Sequence, residues 1–558
     1  MKRDLEAFTN HHYDLLVIGG GIYGTCIAWE ATLRGLQVAL VEKSDFGSAT
    51  SANSLKIIHG GLRYLQYGDF KRMRESSREQ ATLMGIAPHL IHPLPILLPT
   101  YGHGLKGKEA LLVALKLNDF ISRNPMLYSG CDRDRLEKAQ EYLPSGKVIS
   151  RQQCLQLLPG IKAEGLTGAA LFYDAQVYNS ERLTLAFVRS AAEAGATVAN
   201  YLQVTDFLLE GKKVKGVQVE DTLKGNQFEI CAKAVINASG PWLNQVLGLL
   251  PTGKTEQTFA KAINLVLKHS LFPTHAVGLK SQPKHQNPNI LAGQTSRMLF
   301  VVPWRNCSML GTTYSLCPQT PDTLQVTETE IGQFLAEINQ AYPPANLTRE
   351  DVAFVHKGLL PQTSTNDAGE PLLAKHYRIL NGSPNGWQGL FSVIGVKYTT
   401  ARDVAQKAVD RLFYYWGHTP PPSCSAITPL HGGDISKING FLQQAFNQYS
   451  PQLGRETIKS LVYNYGSAYQ KILAEAEANT SDKVIAAQVR YAVRQEMAQT
   501  LADILLRRTE LGSAGKPDAQ TIQLCTTVAA QELGWDRNKV QQEIQQFEMQ
   551  SNPSLAEV

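Results

Sequence analysis

The chain has 558 residues, 43% of them hydrophobic and 18% charged, the composition of an ordinary folded protein long enough for two or more domains. Its formal charge of +5 arises from 54 basic and 49 acidic residues interspersed along the sequence, so no nucleic-acid partner is expected. Eight cysteines without a C-x-x-C pair predict free thiols in a reducing compartment, with no metal site. The opening MKRDLEAFTNHH lacks an apolar signal core and no apolar run reaches 18 residues. A cytoplasmic protein is expected, with peripheral attachment to the cytoplasmic membrane left open.

The first predicted elements form a βαβ unit. Asp14-Leu-Leu-Val-Ile18 reads as a short buried strand, followed by Gly19, Gly21 and Gly24 in the spacing G-x-G-x-x-G. A helix carrying Ile27, Ala28, Ala31 and Leu33 comes next, ending at Arg34-Gly35, where glycine suits a left-handed cap. Val38 to Val41 is the second strand and Glu42 closes it. Gly19 permits the tight turn, Gly21 lets a pyrophosphate approach the backbone, and Gly24 lets helix and strand pack closely. The helix N-terminus offers N–H groups and a positive dipole end to the anion. Glu42 follows Gly21 at the distance where a carboxylate holds ribose hydroxyls, which favours an unphosphorylated ribose. The unit alone leaves FAD and NAD open.

The next segment narrows the choice. After Glu42 come the hydroxyl cluster Ala49-Thr50-Ser51-Ala52-Asn53-Ser54 and the block Lys56-Ile-Ile-His59-Gly60-Gly61-Leu62-Arg63-Tyr64-Leu65. Farther on are Asn237-Ala-Ser-Gly-Pro-Trp242, Val302-Pro-Trp304, Gly311-Thr-Thr313, Ser392-Val-Ile-Gly395, Lys397-Tyr-Thr-Thr400 and Leu506-Arg-Arg-Thr-Glu-Leu-Gly512. In this order the chain resembles the FAD-dependent glycerol-3-phosphate dehydrogenases of the wider glycine/D-amino-acid oxidase superfamily, over roughly Asp14 to Phe547. The resemblance implies an α/β fold: a discontinuous Rossmann-like FAD-binding domain, an antiparallel-sheet substrate domain and a C-terminal helical domain. The first two would interleave over 13–423, with FAD parts at about 13–100, 175–245 and 355–420 and a substrate part at about 246–354. The helical domain would occupy 424–558. Local patterns agree. Ala196 to Val204 and Val214 to Val219 read as strands, Ala234 to Gly240 as a strand and turn, and Ile263 to Leu316 as strand-rich. Pro420-Pro-Pro422 with Ser423 reads as a linker, and helical spacing dominates from Thr428.

Flavin oxidation of a CH–OH group needs a base for the hydroxyl proton, a hydride path and positive potential where the reduced ring is anionic. Lys397 is the candidate for that potential, together with the helix expected over Ala401 to Leu412 and capped by Thr399 or Thr400. His59 is a candidate base, imidazole being the side chain that titrates near neutral pH. Arg63 is a candidate to hold an anionic substrate or polarise its oxygen. His59, Arg63 and Lys397 are thus the candidate catalytic residues. The candidate FAD contacts are Gly19, Gly21, Gly24, Glu42, Thr50, Ser51, Ser54, Gly60, Gly61, Leu62, Val204, Gly240, Gly395, Thr399 and Thr400. The candidate substrate contacts are Arg63, Tyr64, Lys375 and Asn264.

The chain departs from the family pattern on the substrate side. Leu360 stands where an arginine is usual, Lys375 where a second arginine is, Asn264 where a histidine is, and Tyr314 where an acid follows Gly-Thr-Thr. Losing an arginine–phosphate contact removes about 1.5–3 kcal/mol unless another base, such as Lys357 or Lys375, takes over. The first expectation is oxidation of sn-glycerol 3-phosphate to dihydroxyacetone phosphate, with electrons passed to a quinone. The alternative is a FAD-dependent dehydrogenase or oxidase of another hydroxy acid, polyol or amine, and a third reading is a flavoprotein without turnover. Expected partners are a small phosphorylated polyol and a membrane quinone or membrane surface. The segment Lys106 to Arg123, with Leu111, Leu112, Leu115, Phe120 and Ile121 among lysines, suits an interfacial helix. A homodimer is compatible with the sequence.

Overall fold

The computed structural model describes residues 1–62, 64, 68–103, 108–123, 143–251, 256–281, 297–367, 369–382, 386–476 and 480–551. Arg63 and Lys106 lie outside the described residues, as do the side chains of Ile121 and Arg123.

The first sheet is built on short runs of aliphatic residues that are buried on both faces, the signature of parallel strands covered by helices. Strands Tyr13–Ile18, Val38–Val41 and Leu390–Ile394 bury nearly every side chain. Tyr13–Ile18 pairs in parallel with Val38–Val41 on one side and with Gln227–Asn237 on the other. Val38–Val41 passes to Thr197–Ala199, and Gln227–Asn237 passes to Leu390–Ile394, again in parallel. Helices Ile22–Leu33, Ser180–Glu193 and Ala401–Tyr415 contribute to a single core against this sheet. Ile22–Leu33 is buried almost all round, hence its lack of amphipathic character. The chain order reverses between Tyr13–Ile18 and Gln227–Asn237, which creates a crevice at the carboxyl ends of those two strands.

The expected strand Ala196 to Val204 is broken. Tyr201 takes φ +57° and Asn200 turns its buried amide to Asp45 and to the Met497 carbonyl. The chain therefore leaves the parallel sheet after Ala199 and resumes as strand Leu202–Glu210, paired with Lys213–Asp221.

The second sheet is largely antiparallel and has ten strands among the described residues. It gathers Ile57–Ile58, Ile91–Tyr101, Lys147–Ser150 and Leu166–Val177 with the strands from Phe259 to Leu316 and from Val352 to Leu373. Strand Phe259–Leu267 lies between Cys307–Leu316 and Val352–Thr365. One face of this sheet packs on helix Glu328–Ala341. Beyond Trp416 the chain runs without helix to Ile438, tied down where Ser423 Oγ donates to Glu30 and the Leu430 amide to the Ile86 carbonyl. Helices Ile438–Leu453, Arg455–Tyr465, Ser481–Glu496, Ala519–Leu533 and Arg537–Ser551 follow, with a π-helical turn at Ile504–Arg508. The α/β fold with an antiparallel sheet and C-terminal helices is thus as the resemblance implied.

Candidate active site

A cavity of about 380 Å³ opens at the crevice between Tyr13–Ile18 and Gln227–Asn237 and runs beneath the antiparallel sheet. At its inner end the glycine turn has the shape its sequence demands. Gly19 has φ +105°, and a Cβ there would stand 2.7 Å from the Ala238 carbonyl oxygen. A Cβ on Gly24 would stand 1.9 Å from the Gly19 oxygen, so only glycine lets helix Ile22–Leu33 approach the strand. Gly24 therefore serves behind the cavity wall, whereas Gly19 and Gly21 form the wall itself. Glu42 also lines it. Its carboxylate accepts the Gly20 amide at 2.6 Å and the Ser44 amide at 2.9 Å, and burial outweighs these bonds to hold its pKa above the usual value.

The hydroxyl cluster both lines the cavity and joins its walls. Ser51 Oγ accepts the Ile22 amide at 2.9 Å, capping the glycine-turn helix, and Thr50 Oγ1 exchanges hydrogen bonds with the Leu359 backbone of the other sheet. Ser54 accepts the Lys56 amide. Val204, Gly240 and Gly395 line the cavity as well. Gly395 is required by a residue that sequence reasoning missed: a Cβ there would fall 2.0 Å from the ring of Tyr23. Tyr23 donates to the Lys397 carbonyl at 2.6 Å and accepts the amides of Val396 and Lys397. Burial pushes its hydroxyl up to about 12, so it stays neutral while it ties the first helix to the Lys397 turn. Its signal was an aromatic residue inside the glycine motif itself.

Lys397 lines the cavity and points over the ring of Tyr64, with Nζ 3.9 Å from the ring centre. Arg72 stacks on the same ring, its guanidinium carbon 4.4 Å from the centre. Burial, and then the Arg72 charge, bring the Lys397 pKa down to about 7. Thr400 holds the N-cap position of helix Ala401–Tyr415, one of the two residues expected there, although its side chain makes no cap hydrogen bond. Thr399 instead accepts the His59 amide at 3.2 Å.

His59, Gly60, Gly61 and Leu62 lie beyond the wall formed by Ser54 and Leu55, and Leu62 packs into the core of the antiparallel sheet. His59 Nδ1 is 3.1 Å from Asp174 Oδ2, while Asp174 Oδ1 accepts the Gly60 amide at 2.7 Å and the Gln80 amide group at 3.3 Å. The pairing of Ile58 with Ala175 sets this meeting, and sequence reasoning did not find Asp174. The available signal was a carboxylate inside the apolar run Ala169-Ala-Leu-Phe-Tyr-Asp174.

Three of the four departures from the family pattern, Asn264, Tyr314 and Leu360, meet on one wall. Asn264 from strand Phe259–Leu267, Thr312 and Tyr314 from Cys307–Leu316, and Gly358 with Leu360 from Val352–Thr365 all line the cavity. Asn264 accepts from Thr312 Oγ1 at 2.7 Å and donates to the Asn53 carbonyl at 3.0 Å. The bases expected to substitute for the missing arginine are elsewhere. Lys357 donates to the Leu324 carbonyl, and among the described residues the cavity's cations are Lys43 and Lys397, not Lys375.

This donor set suits FAD: a glycine turn shaped for close approach, a carboxylate fixed at the strand end and a lysine beside a helix N-terminus share one cavity. Residues 14–401 match the model of the FAD dependent oxidoreductase family, and residues 423–540 match that of the C-terminal domain of alpha-glycerophosphate oxidase. A glycerol-3-phosphate dehydrogenase of Synechocystis sp. is 32% identical, over 98% of this chain and 97% of that relative. An aerobic glycerol-3-phosphate dehydrogenase of Staphylococcus haemolyticus is 29% identical, over 91% of this chain and 88% of that relative. The FAD-complexed crystal structure of the glycerol-3-phosphate dehydrogenase of Bacillus halodurans superposes with a TM-score of 0.76 at 24% identity, over 98% of this chain and 96% of that one.

Proposed function

The chain belongs to the FAD dependent oxidoreductase family, with a C-terminal domain of the alpha-glycerophosphate oxidase type and FAD as its cofactor, and from that premise we propose that it oxidises sn-glycerol 3-phosphate to dihydroxyacetone phosphate. The observation that carries this reading is one continuous cavity joining the glycine turn and Glu42 to Lys397 and the sheet wall of Asn264 and Tyr314. When bound, FAD supplies the two-electron acceptor. His59 stands half-exposed outside the wall of Ser54 and Leu55, with its amide on Thr399, so it would take the hydroxyl proton of a substrate held at the Lys397 end of the cavity; Asp174 would hold its ring so that Nδ1 carries the hydrogen and Nε2 accepts. Lys397, Thr399 and the start of helix Ala401–Tyr415 supply positive potential. Lys397 with Tyr64 receives the anionic end of the substrate, and Asn264 orients its hydroxyls. The Leu360 and Tyr314 side chains exclude water from the opposite wall.

Anaerobic addition of glycerol 3-phosphate to the FAD-loaded protein should bleach the flavin absorbance. No bleaching at millimolar substrate would sink the assignment. Leu360 and Asn264 favour a second reading, oxidation of another hydroxy acid, polyol or amine, which the same titration with lactate, 2-hydroxyglutarate, glycerol and sarcosine would reveal.

The proposed acceptor is a quinone reached from the cytoplasmic membrane surface. No described helix is long and apolar enough to cross a membrane. Helix Lys108–Arg123 buries Leu115 against the protein but exposes Val113 by 68% and Phe120 by 60% beside an exposed Lys116. That outward stripe supports a peripheral contact with anionic lipid.

A further inference from the structure

We propose that the C-terminal helical region is a clasp on the adenosine end of the FAD site, with Arg507 and Arg508 positioning the Glu42 loop through Asp45 and Asp503 positioning the adjoining edge through Tyr201. The proposal rests on Glu42 being the ribose carboxylate and goes beyond the reaction itself, to how the cofactor is retained.

The loop after strand Val38–Val41 spends most of its residues on the cavity: Glu42, Lys43, Ser44, Gly47 and Ser48 line it. Asp45 and Phe46 turn away. Phe46 enters the core of the parallel sheet. Asp45 meets the π-helical turn Ile504–Arg508 instead, more than 460 residues along the chain. Arg508 forks onto both Asp45 oxygens at 2.6 and 2.7 Å, and Arg507 Nε reaches Oδ2 at 2.6 Å. Asn200 adds a bond to Oδ1 at 3.0 Å. The side chains of Asp45 and Arg508 are fully buried. Burial alone would raise the Asp45 pKa, but the two guanidinium groups hold it well below the usual carboxylate range. Arg507 also binds Asp503 at 2.6 Å, and Asp503 accepts the Tyr201 hydroxyl at 2.8 Å.

These two grips act on a single backbone unit. The Tyr201 amide donates to the Ser44 carbonyl and the Leu202 amide to the Glu42 carbonyl, at 2.9 and 2.8 Å. Leu202, Gln203 and Val204 then form the cavity edge opposite Glu42. The C-terminal region thus holds both sides of the place where Glu42 stands, without itself lining the cavity. A paired, hydrogen-bonded ion cluster suits this task, because it is directional and its loss leaves a buried charge unpaired. Coupling of this kind is reciprocal: the docked helices tighten FAD binding, and bound FAD stabilises their docking.

The test uses the full chain. The FAD dissociation constant and the melting temperature with and without FAD are measured for wild type, Arg508→Lys, Tyr201→Phe and Glu42→Gln. Arg508→Lys should weaken FAD binding at least tenfold and Tyr201→Phe a few-fold, with the FAD-induced rise in melting temperature shrinking to match. Arg508→Lys combined with Glu42→Gln should cost less than the two separate losses together. Unchanged FAD affinity with equal falls in both melting temperatures would overturn the clasp and leave the arginines as packing contacts. If Arg508→Lys fails to fold, Tyr201→Phe decides by the same two outcomes. A Glu42→Gln variant with normal FAD affinity would instead remove the ribose reading, while the Arg508 and Tyr201 results would still report on the clasp.

Discussion

Asp174 holds His59 by its Nδ1 atom while its second oxygen accepts the amide of Gly60, so one buried carboxylate sets both the ring and the turn that carries it. This arrangement makes Asp174→Asn a sharp variant. The amide oxygen can still accept from Gly60, but the NH₂ group then faces Nδ1, turns it into an acceptor and leaves the hydrogen on Nε2. The ring keeps its place and loses its ability to take a proton. Flavin reduction by glycerol 3-phosphate, followed anaerobically by stopped flow, should slow by about 100-fold or more with FAD occupancy unchanged. Wild-type reduction rates in Asp174→Asn would remove His59 from the role of base.

Lys397 gives a pH dependence of definite sign. Its folded-state pKa of about 7 lies below the usual 10.5, with burial as the main cause and the Arg72 charge next. Below pH 7 both folded and unfolded chains carry the proton, and the folded state bears the full cost of the buried ammonium. Between about 7 and 10.5 the unfolded chain holds the proton more tightly, so this contribution to stability improves as pH rises. Lys397→Met should therefore raise the melting temperature most below pH 7 and least near pH 10. An anionic substrate favours the charged form, so its binding takes up a proton. The KM for glycerol 3-phosphate should climb towards tenfold per pH unit above about 7. Lys397→Arg should flatten that profile, and a flat profile in the wild type would place the anionic end away from Lys397.

The parts of the site that were legible in the sequence are those made by neighbours. Gly19, Gly21, Gly24 and Glu42 act through one turn and two short strands, so spacing alone carries the geometry. The parts that were not legible are made by register between distant segments. Asp174 reaches His59 because Ile58 pairs with Ala175, across 115 residues. Asp45 reaches Arg508 because the C-terminal helices fold back on the first sheet. The break at Asn200 and Tyr201 was hidden for the same reason: an apolar stretch reads as one strand, and only the partners of Asn200 and Tyr201 show why the chain must turn there. The sequence leaves the N-cap open between Thr399 and Thr400; Thr400 takes the position, and Thr399, one residue earlier, receives the His59 amide instead.

Leu360 tests how the chain manages without an arginine on that wall. It lines the cavity on the strand next to Ala260 and Ala262, so a longer side chain there would extend over small neighbours. Leu360→Arg should lower the KM for glycerol 3-phosphate by about tenfold, the lower end of a charge-assisted phosphate contact. The KM for an uncharged polyol should not fall with it. If neither value moves, the phosphate does not approach this wall, and the anion is held wholly at the Lys397 end.

Helix Lys108–Arg123 makes the membrane reading measurable, because its two faces separate cleanly. Leu115 is fully buried and fastens the helix to the antiparallel sheet, while Val113, Leu117 and Phe120 recur at helical spacing on the outside. Phe70, at the start of the neighbouring helix Phe70–Ile86, is also exposed. Each buried Val or Phe side chain contributes about 1.5–3 kcal/mol on leaving water, so two acidic replacements should abolish a contact made by so few residues. Val113→Glu with Phe120→Glu should eliminate co-sedimentation with anionic vesicles at low salt, leaving anaerobic flavin reduction intact. Raising the salt to about 0.5 M should weaken the wild type's binding, since the screening length then falls to a few ångströms. Equal sedimentation of the wild type and the double variant would show that this stripe does not face lipid and that electrons leave the protein by another surface.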